Sequence, residues 1–240
     1  MYMAAIAIFC PNSINILAGV NGVEVGQSII IGLMLIINDW LFLRIPNHPA
    51  THSHLFSVYF LLPFLGVSFA LLYHNWYPSK VFVGDTYCYF AGMVFAVVGI
   101  LGHFSKTLLL LFIPQIFNFI YSAPQLFRLV PCPRHRLPHF NPKTGFLEPS
   151  RVQFEKPPPK LVTLVLKFLQ RLRLVELWTN SRGEPVEMSN LTILNLLIVT
   201  FGPMKEDKLT MAIMALQALS GVVGLLVRHK LALLVFAQDN

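Results

Sequence analysis

The sequence predicts an α-helical multi-pass membrane protein, with about five transmembrane helices, one partial helix and a small cytosolic α+β insertion. Three observations carry this reading. Hydrophobic residues fill 55% of the 240 positions and charged residues only 12%, against roughly 25% charged in a soluble chain. Mean hydropathy is +0.63. The apolar residues fall into runs close to the roughly 20 residues that cross a bilayer, separated by polar stretches. Disorder, collagen and coiled coil are excluded by the same composition. Cys10, Cys88 and Cys132 stand far apart without a CxxC pairing, so they define neither a disulfide framework nor a zinc site.

In chain order, segment 1–10 reads as the last half of a helix whose first half is absent. It has no positive start and no cleavage site, so it reads as a poor signal peptide. An Asn/Gly-rich stretch, 12–27, follows. Segment 28–43 is the first span, with Asn38 and Asp39 near its far end. After a short polar loop, 54–73 is the second span, with a kink expected at Pro63. The loop 74–85 is polar and aromatic. Segment 86–104 is the third span. Segment 107–130 is the fourth, and Pro114 and Pro124 are expected to bend it. Segment 209–227 is the last span, followed by a short tail. The expected divisions are 1–130 (membrane helices and cytosolic active-site loops), 131–207 (cytosolic insertion) and 208–240 (last helix and tail).

The insertion has its own pattern. Residues 139–148 form a hairpin around Pro142-Lys143-Thr144-Gly145, and Pro157-Pro158-Pro159 ends it. Over 160–176, Leu161, Leu164, Val165, Phe168, Leu172 and Val175 recur at helical spacing. Lys160, Lys167 and Arg171 fall on another face, as in an amphipathic helix. A second hairpin spans 176–187 around Ser181-Arg182-Gly183. Segment 189–201 is apolar but short, and reads as buried or interfacial.

Of the 18 Lys and Arg, 11 lie within 131–207, so the side carrying that region is the cytoplasmic one. The alternation of spans then puts 12–27, 74–85 and 131–136 on that same side. Asp39 falls on the other side, remote from other polar groups, where simple interfacial solvation accounts for it. The pattern lacks the midplane ionisable residues and internal repeats of many channels and transporters.

Three constellations carry chemistry. Asn15 with Gly19, Asn21, Gly22 and Gly26 is either a glycine-rich turn or a place where a ligand approaches the backbone. It has no GK[ST] and is not a P-loop. Asp85, within Val83-Gly84-Asp85-Thr86, either caps a helix or holds Mg²⁺, which binds through one or two carboxylates plus substrate phosphates. Arg134-His135-Arg136, set after a span and behind Pro131 and Pro133, is either a positive anchor or a rigid diphosphate clamp. Trp76 and Tyr77 suit an interfacial belt, and Phe82 offers a face for a base. Asn190-Leu191-Thr192 matches the glycosylation pattern, but it falls on the cytoplasmic side and reads as a helix start. A cation site, diphosphate donors and a base surface together suit a nucleotide-activated substrate meeting a lipid substrate.

Stretches 12–22, 73–85, 91–107 and 131–136 resemble the polyprenyl-phosphate sugar-1-phosphate transferase family, and the similarity runs through all 240 residues. The resemblance implies an endoplasmic reticulum membrane enzyme with its active-site loops facing the cytosol. Such an enzyme transfers GlcNAc-1-phosphate from UDP-GlcNAc to dolichyl phosphate and releases UMP, the first step of lipid-linked oligosaccharide synthesis for N-glycosylation. By the family's motifs, Asn15 and Asp85 hold Mg²⁺, and Asn21 and Phe82 recognise uracil beside the Gly19 backbone. Arg134 binds the diphosphate, and His135 and Arg136 contact the sugar phosphate and GlcNAc. The implied partners are UDP-GlcNAc, dolichyl phosphate, the bilayer and a second copy in a homodimer, with no nucleic acid. The family has ten membrane helices, and this chain matches the second half. The family's Asp-Asp pair lies in the other half, and no adjacent aspartates occur here. The expectation is that this chain alone does not turn over. The alternative is a non-catalytic membrane partner of the full-length enzyme.

Overall fold

The computed structural model describes residues 1–155, 158–181 and 183–231. Pro157 of the proline stop, Arg182 of the second hairpin turn, the Lys160 side chain and the tail from 232 lie outside the described residues. The chain forms two compact units. One is Met1–Ile116 with the chain from Ile213, and the other is Phe117–Ala212.

The first unit contains α1 (Tyr2–Ile16), α2 (Val23–Leu43), α3 (Thr51–Asn75), α4 (Gly84–Leu101) and α5 (Ser105–Leu111). The helix Ile113–Leu126 starts there and continues into the second unit. The helix Glu206–Leu226 starts in the second unit and returns to the first, ending in a π-turn at Val227–Leu231. Among the described residues, four helices are long and apolar enough to cross a membrane. Ser105–Leu111 and Ile113–Leu126 make a fifth when the pair, bent by 65°, counts as one span. The bend falls at Phe112, so Pro114 sits in the first turn of the second piece, where its missing N–H costs no helical bond. Pro63, by contrast, lies inside an unbroken α3. The rest of that helix's ladder holds across the single lost bond.

Helix directions agree with counting the bent pair as one candidate span. An added Cβ at Gly26 would lie 2.9 Å from Met214 Sδ, and one at Gly221 would lie 2.7 Å from Met34 Cγ. Both numbers rise together, so α2 and Glu206–Leu226 run parallel. Parallel running matches an odd number of candidate spans between them: α3, α4 and the bent pair.

The polar break after α1 is shorter than the sequence suggests. Helix α1 reaches Ile16 and α2 begins at Val23, leaving only 17–22 between them. Polar side chains do not interrupt α1 because they bond its own carbonyls: Asn12 Nδ2 donates to Ile8 O (2.7 Å) and Ser13 Oγ to Cys10 O (3.0 Å). Inside the unit, Gln115 Nε2 donates to both Gln27 Oε1 (2.8 Å) and Gln217 Oε1 (2.7 Å). All three amides are buried, and each bond takes the place of one to water that lipid cannot supply.

Asp39 is a correction. It is not solvated at an interface but 0% exposed. His54 Nδ1 donates to its Oδ1 at 2.7 Å, and Ser57 Oγ donates to its other oxygen. The His54 ring is stacked between Phe42 (4.3 Å) and Phe104 (5.3 Å). The turn after α2 brings α3 back against it, and a buried carboxylate needs such partners.

The second unit holds the hairpin β1 (His139–Asn141) and β2 (Phe146–Glu148), in the register expected from the Pro-Lys-Thr-Gly turn. A separate antiparallel sheet combines β3 (Arg151–Gln153), β4 (Leu177–Thr179) and β5 (Pro185–Ser189) in the order β3-β5-β4. Strand β3 had no clear signal in the sequence. The helices α7 (Lys160–Arg171) and α8 (Ile193–Phe201) complete the unit, with Ile113–Leu126 as α6 and Glu206–Leu226 as α9. The small core gathers Val130, Val152, Leu166, Val175, Leu177, Met188 and Leu191. Helix α7 stops at Arg171, and Val175 belongs to this core rather than to the expected apolar stripe. Asn190 is buried between Gln125 (2.7 Å) and Ser150 (2.9 Å). Thr192 caps α8 by accepting from Asn195 N.

Candidate active site

In the first unit, α1 and α4 pack antiparallel. Tyr2 Oη meets Ser105 Oγ at 3.3 Å at one end. An added Cβ at Gly92 would lie 2.3 Å from Pro11 Cα, so the backbones touch there. Continuing that register puts Asn15 level with Cys88, about 4.5 Å along the axis from Asp85 at the usual rise of 1.5 Å per residue. The Cys88 thiol lies within electrostatic reach of both Glu24 and Asp85. Asn15, Glu24 and Asp85 therefore gather at one end of the helix bundle.

Their side chains are used differently. Glu24 Oε1 accepts from Gly19 N at 2.8 Å. Asp85 is exposed in the first turn of α4, and the N-cap position is Val83, which supplies no side-chain bond. Asp85 thus leaves the cap to the backbone while facing the positive end of the helix. Gln27 Nε2 donates to Leu17 O (2.7 Å) and Ile14 O (3.3 Å), which ties down the last turn of α1 and with it Asn15.

The 17–22 and 76–83 loops are joined by one residue that sequence reading did not single out. Asn75, buried at the end of α3, accepts from Gly22 N (2.9 Å) through Oδ1 and donates to Val81 O (2.9 Å) through Nδ2. Gly22 has φ 84°, which admits this N-cap geometry without a side-chain clash. Val81 precedes Phe82, whose ring is 87% exposed and lies beside Gly84 at φ +66°. Asn21 is half-buried in the adjoining loop.

Arg134, His135 and Arg136 belong to the second unit and are described there by themselves. Buried amides pin their loop at both ends. Gln125 Nε2 donates to Pro131 O (3.0 Å), and Asn195 Nδ2 donates to Arg136 O (2.8 Å). Between the pins, Arg134 and His135 are exposed. Arg136 is half-buried, and its Nη1 is buried without a hydrogen-bond partner. The cluster therefore presents cationic donors from a fixed backbone. An open cleft of about 460 Å³ in this unit, lined by residues such as Glu148, Arg151, Gln170 and Arg173, contains none of the three. Gln125 and Asn195 were also missed. Their one sequence signal is an amide placed within an otherwise apolar helical run.

Residues 1–103 match the model of glycosyl transferase family 4. Over its whole length the chain is similar to proteins named as N-acetylglucosaminephosphotransferases. It is 57% identical over 244 residues to the UDP-N-acetylglucosamine–dolichyl-phosphate N-acetylglucosaminephosphotransferase of Schizosaccharomyces pombe, covering 100% of this chain and 55% of that protein. The enzyme of the same name from Saccharomyces cerevisiae is 57% identical over 241 residues, covering 100% and 54%. That of Dictyostelium discoideum is 45% identical, covering 95% and 50%. The chain spans about half the length of the curated relatives it matches.

Proposed function

We propose that this chain supplies the donor-substrate side of a site that transfers GlcNAc-1-phosphate from UDP-GlcNAc to dolichyl phosphate, with release of UMP. The observation that carries the reading is 57% identity, across 100% of the chain, to transferases named for that donor and acceptor. The proposed setting is the endoplasmic reticulum membrane, with the loops that bear these residues on the cytosolic side.

Asn15 and Asp85 would hold Mg²⁺. The donor set fits: an amide oxygen and a carboxylate are hard ligands, gathered at one bundle end, and Asp85 is open to solvent. Among the described residues no three His, Cys, Asp or Glu side chains form a metal cluster. Two protein ligands suit an ion that completes its shell with substrate phosphates and water. Bound there, the ion would neutralise charge on the diphosphate.

Phe82 would stack on the uracil and Asn21 would read its edge. Gly19, whose N–H is held by Glu24, would offer its carbonyl. Arg134 would take diphosphate oxygens with its planar fork. His135 and Arg136 would hold the sugar phosphate and GlcNAc. A dolichyl-phosphate oxygen then attacks the β-phosphorus of UDP-GlcNAc. The bond from that phosphorus to the bridging oxygen breaks, and UMP leaves with the bridging oxygen. Positioning and charge stabilisation supply the rate.

A chimera tests the reading: these 240 residues replace the aligned part of the S. pombe relative. Expected is Mg²⁺-dependent UMP release from UDP-GlcNAc plus dolichyl phosphate, abolished by Asp85→Asn. A folded chimera whose turnover is unaffected by Asp85→Asn refutes the assignment.

A further inference from the structure

Helix α7 carries two apolar faces, and its own unit uses only one. Leu166 is buried, and Val162 and Leu169 pack beside it on the core of the second unit. The other face is the stripe Leu161, Leu164, Val165, Phe168 and Leu172, and every member is exposed, Leu161 at 73% and Phe168 at 61%. The spacing i, i+3, i+4, i+7, i+11 makes a continuous band. The core takes Leu166, Val162 and Leu169 and leaves this stripe uncovered. An exposed apolar band of this kind marks an interaction surface.

Charge identifies what covers it. Lys167 and Arg171 flank the stripe on the side away from the core, and Arg173 follows; all three are exposed. From 156 to 175 the sequence has five Lys or Arg and no Asp or Glu. A basic amphipathic helix fits an anionic lipid surface: its apolar band enters the acyl boundary while Lys and Arg extend to the headgroups. The chain itself brings a bilayer within reach. The segment containing α7 leaves α6 and ends at α9, both of them parts of candidate membrane spans, so docking is intramolecular and needs little intrinsic affinity.

We infer that α7 lies in the headgroup region of an anionic leaflet, with Leu161, Leu164, Val165, Phe168 and Leu172 facing the acyl chains. The inference rests on the burial and charge of this element, independently of the transferase reading.

The test uses the full chain in vesicles of phosphatidylcholine with phosphatidylserine, in a Cys132→Ser background; the remaining cysteines, Cys10 and Cys88, are buried. Single nitroxide-labelled cysteines replace Leu161, Leu164 and Phe168 on the stripe, and Lys167 and Gln170 off it. Collisions are measured with oxygen, which partitions into lipid, and with an aqueous nickel chelate. Expected is a severalfold higher oxygen-to-nickel ratio at the stripe than at 167 and 170. In a Phe168 label, Arg171→Glu should lower the ratio in anionic vesicles and change it less in pure phosphatidylcholine. Equal nickel access at all five positions overturns the inference. Stripe labels shielded from both relaxants, with spin–spin broadening, also overturn it and point to a second copy of the chain. Circular dichroism of each labelled sample reports whether the unit is folded.

Discussion

Asn75 and Phe82 show how single side chains set the candidate site, and they separate positioning from contact. Asn75 is buried and ties Gly22 to Val81. In the chimera, Asn75→Ala leaves a buried N–H and C=O without partners, a penalty of about 1–3 kcal/mol. It is expected to raise KM for UDP-GlcNAc on the order of tenfold and to lower the melting temperature as well. Phe82 is almost fully exposed, so Phe82→Ala removes a stacking surface without opening a core. Base–aromatic stacking contributes about 1–3 kcal/mol, so KM should rise about tenfold or more while the melting temperature holds. Steady-state kinetics paired with thermal unfolding in detergent distinguishes the two, and a fall in stability for Phe82→Ala would contradict its assigned role. The residues with motif signals were legible as candidates because their chemistry is unusual for a loop. Asn75, Gln125 and Asn195 were not. A buried amide that bonds distant backbone groups is recognisable only once the partner, 53 positions away for the Gly22 N–H, is brought beside it. Asp39 misled for the same reason: it stands at a span's end by periodicity, and its partner His54 arrives by a turn.

At the level of elements, helix contacts are set by glycines and by buried polar groups. The α1–α4 contact is backbone against backbone at Gly92 and Pro11. Any side chain at 92 must push the helices apart, and with them the Asn15–Asp85 end. Gly92→Val is expected to cost about 3 kcal/mol, at the upper end of ordinary overpacking. Gly66→Val, where a Cβ meets nothing within 4 Å, should be tolerated. Folded yield and melting temperature of the two variants decide this, and equal losses would contradict the contact. The α2–α3 pair is held by Asp39 and His54. Asp39→Ala leaves His54 and Ser57 without their acceptor and should cost about 3–5 kcal/mol, while an apolar replacement of both partners should be far milder. His54→Phe suits the second change, because the ring already sits between Phe42 and Phe104. The comparison is Asp39→Ala against Asp39→Leu/His54→Phe by thermal unfolding; a double variant as unstable as the single one would show that the Asp39–His54 hydrogen bond itself, not the stranding of one partner, matters. Spans were legible at this scale through their apolar runs. Their ends were not, since helices α2 and α3 extend through polar residues that bond internally.

For the whole molecule, the informative quantity is the distribution of charge across the bilayer. Eleven of 18 Lys and Arg lie within 131–207, and the parallel run of α2 and α9 matches the three candidate spans between them. A polypeptide with this alternation and this bias should hold 131–207 on the cytosolic side. The chain contains its own reporter. Cys132 is exposed at the start of the Arg-His-Arg loop, whereas Cys10 and Cys88 are buried. In sealed microsomes, whose outer face is cytosolic, a membrane-impermeant maleimide should label Cys132 without detergent. A second reporter, Ile45→Cys in a Cys132→Ser background, lies on the exposed loop after α2, one crossing away from 17–22. It should react only after permeabilisation. If the two cysteines exchange behaviour, the orientation is reversed, and a cytosolic sugar nucleotide cannot reach Arg134. If both react in sealed vesicles, α5 and the helix bent against it by 65° form a re-entrant pair rather than a crossing, and the even count that follows would contradict the parallel packing of Gly26 on Met214 and Gly221 on Met34.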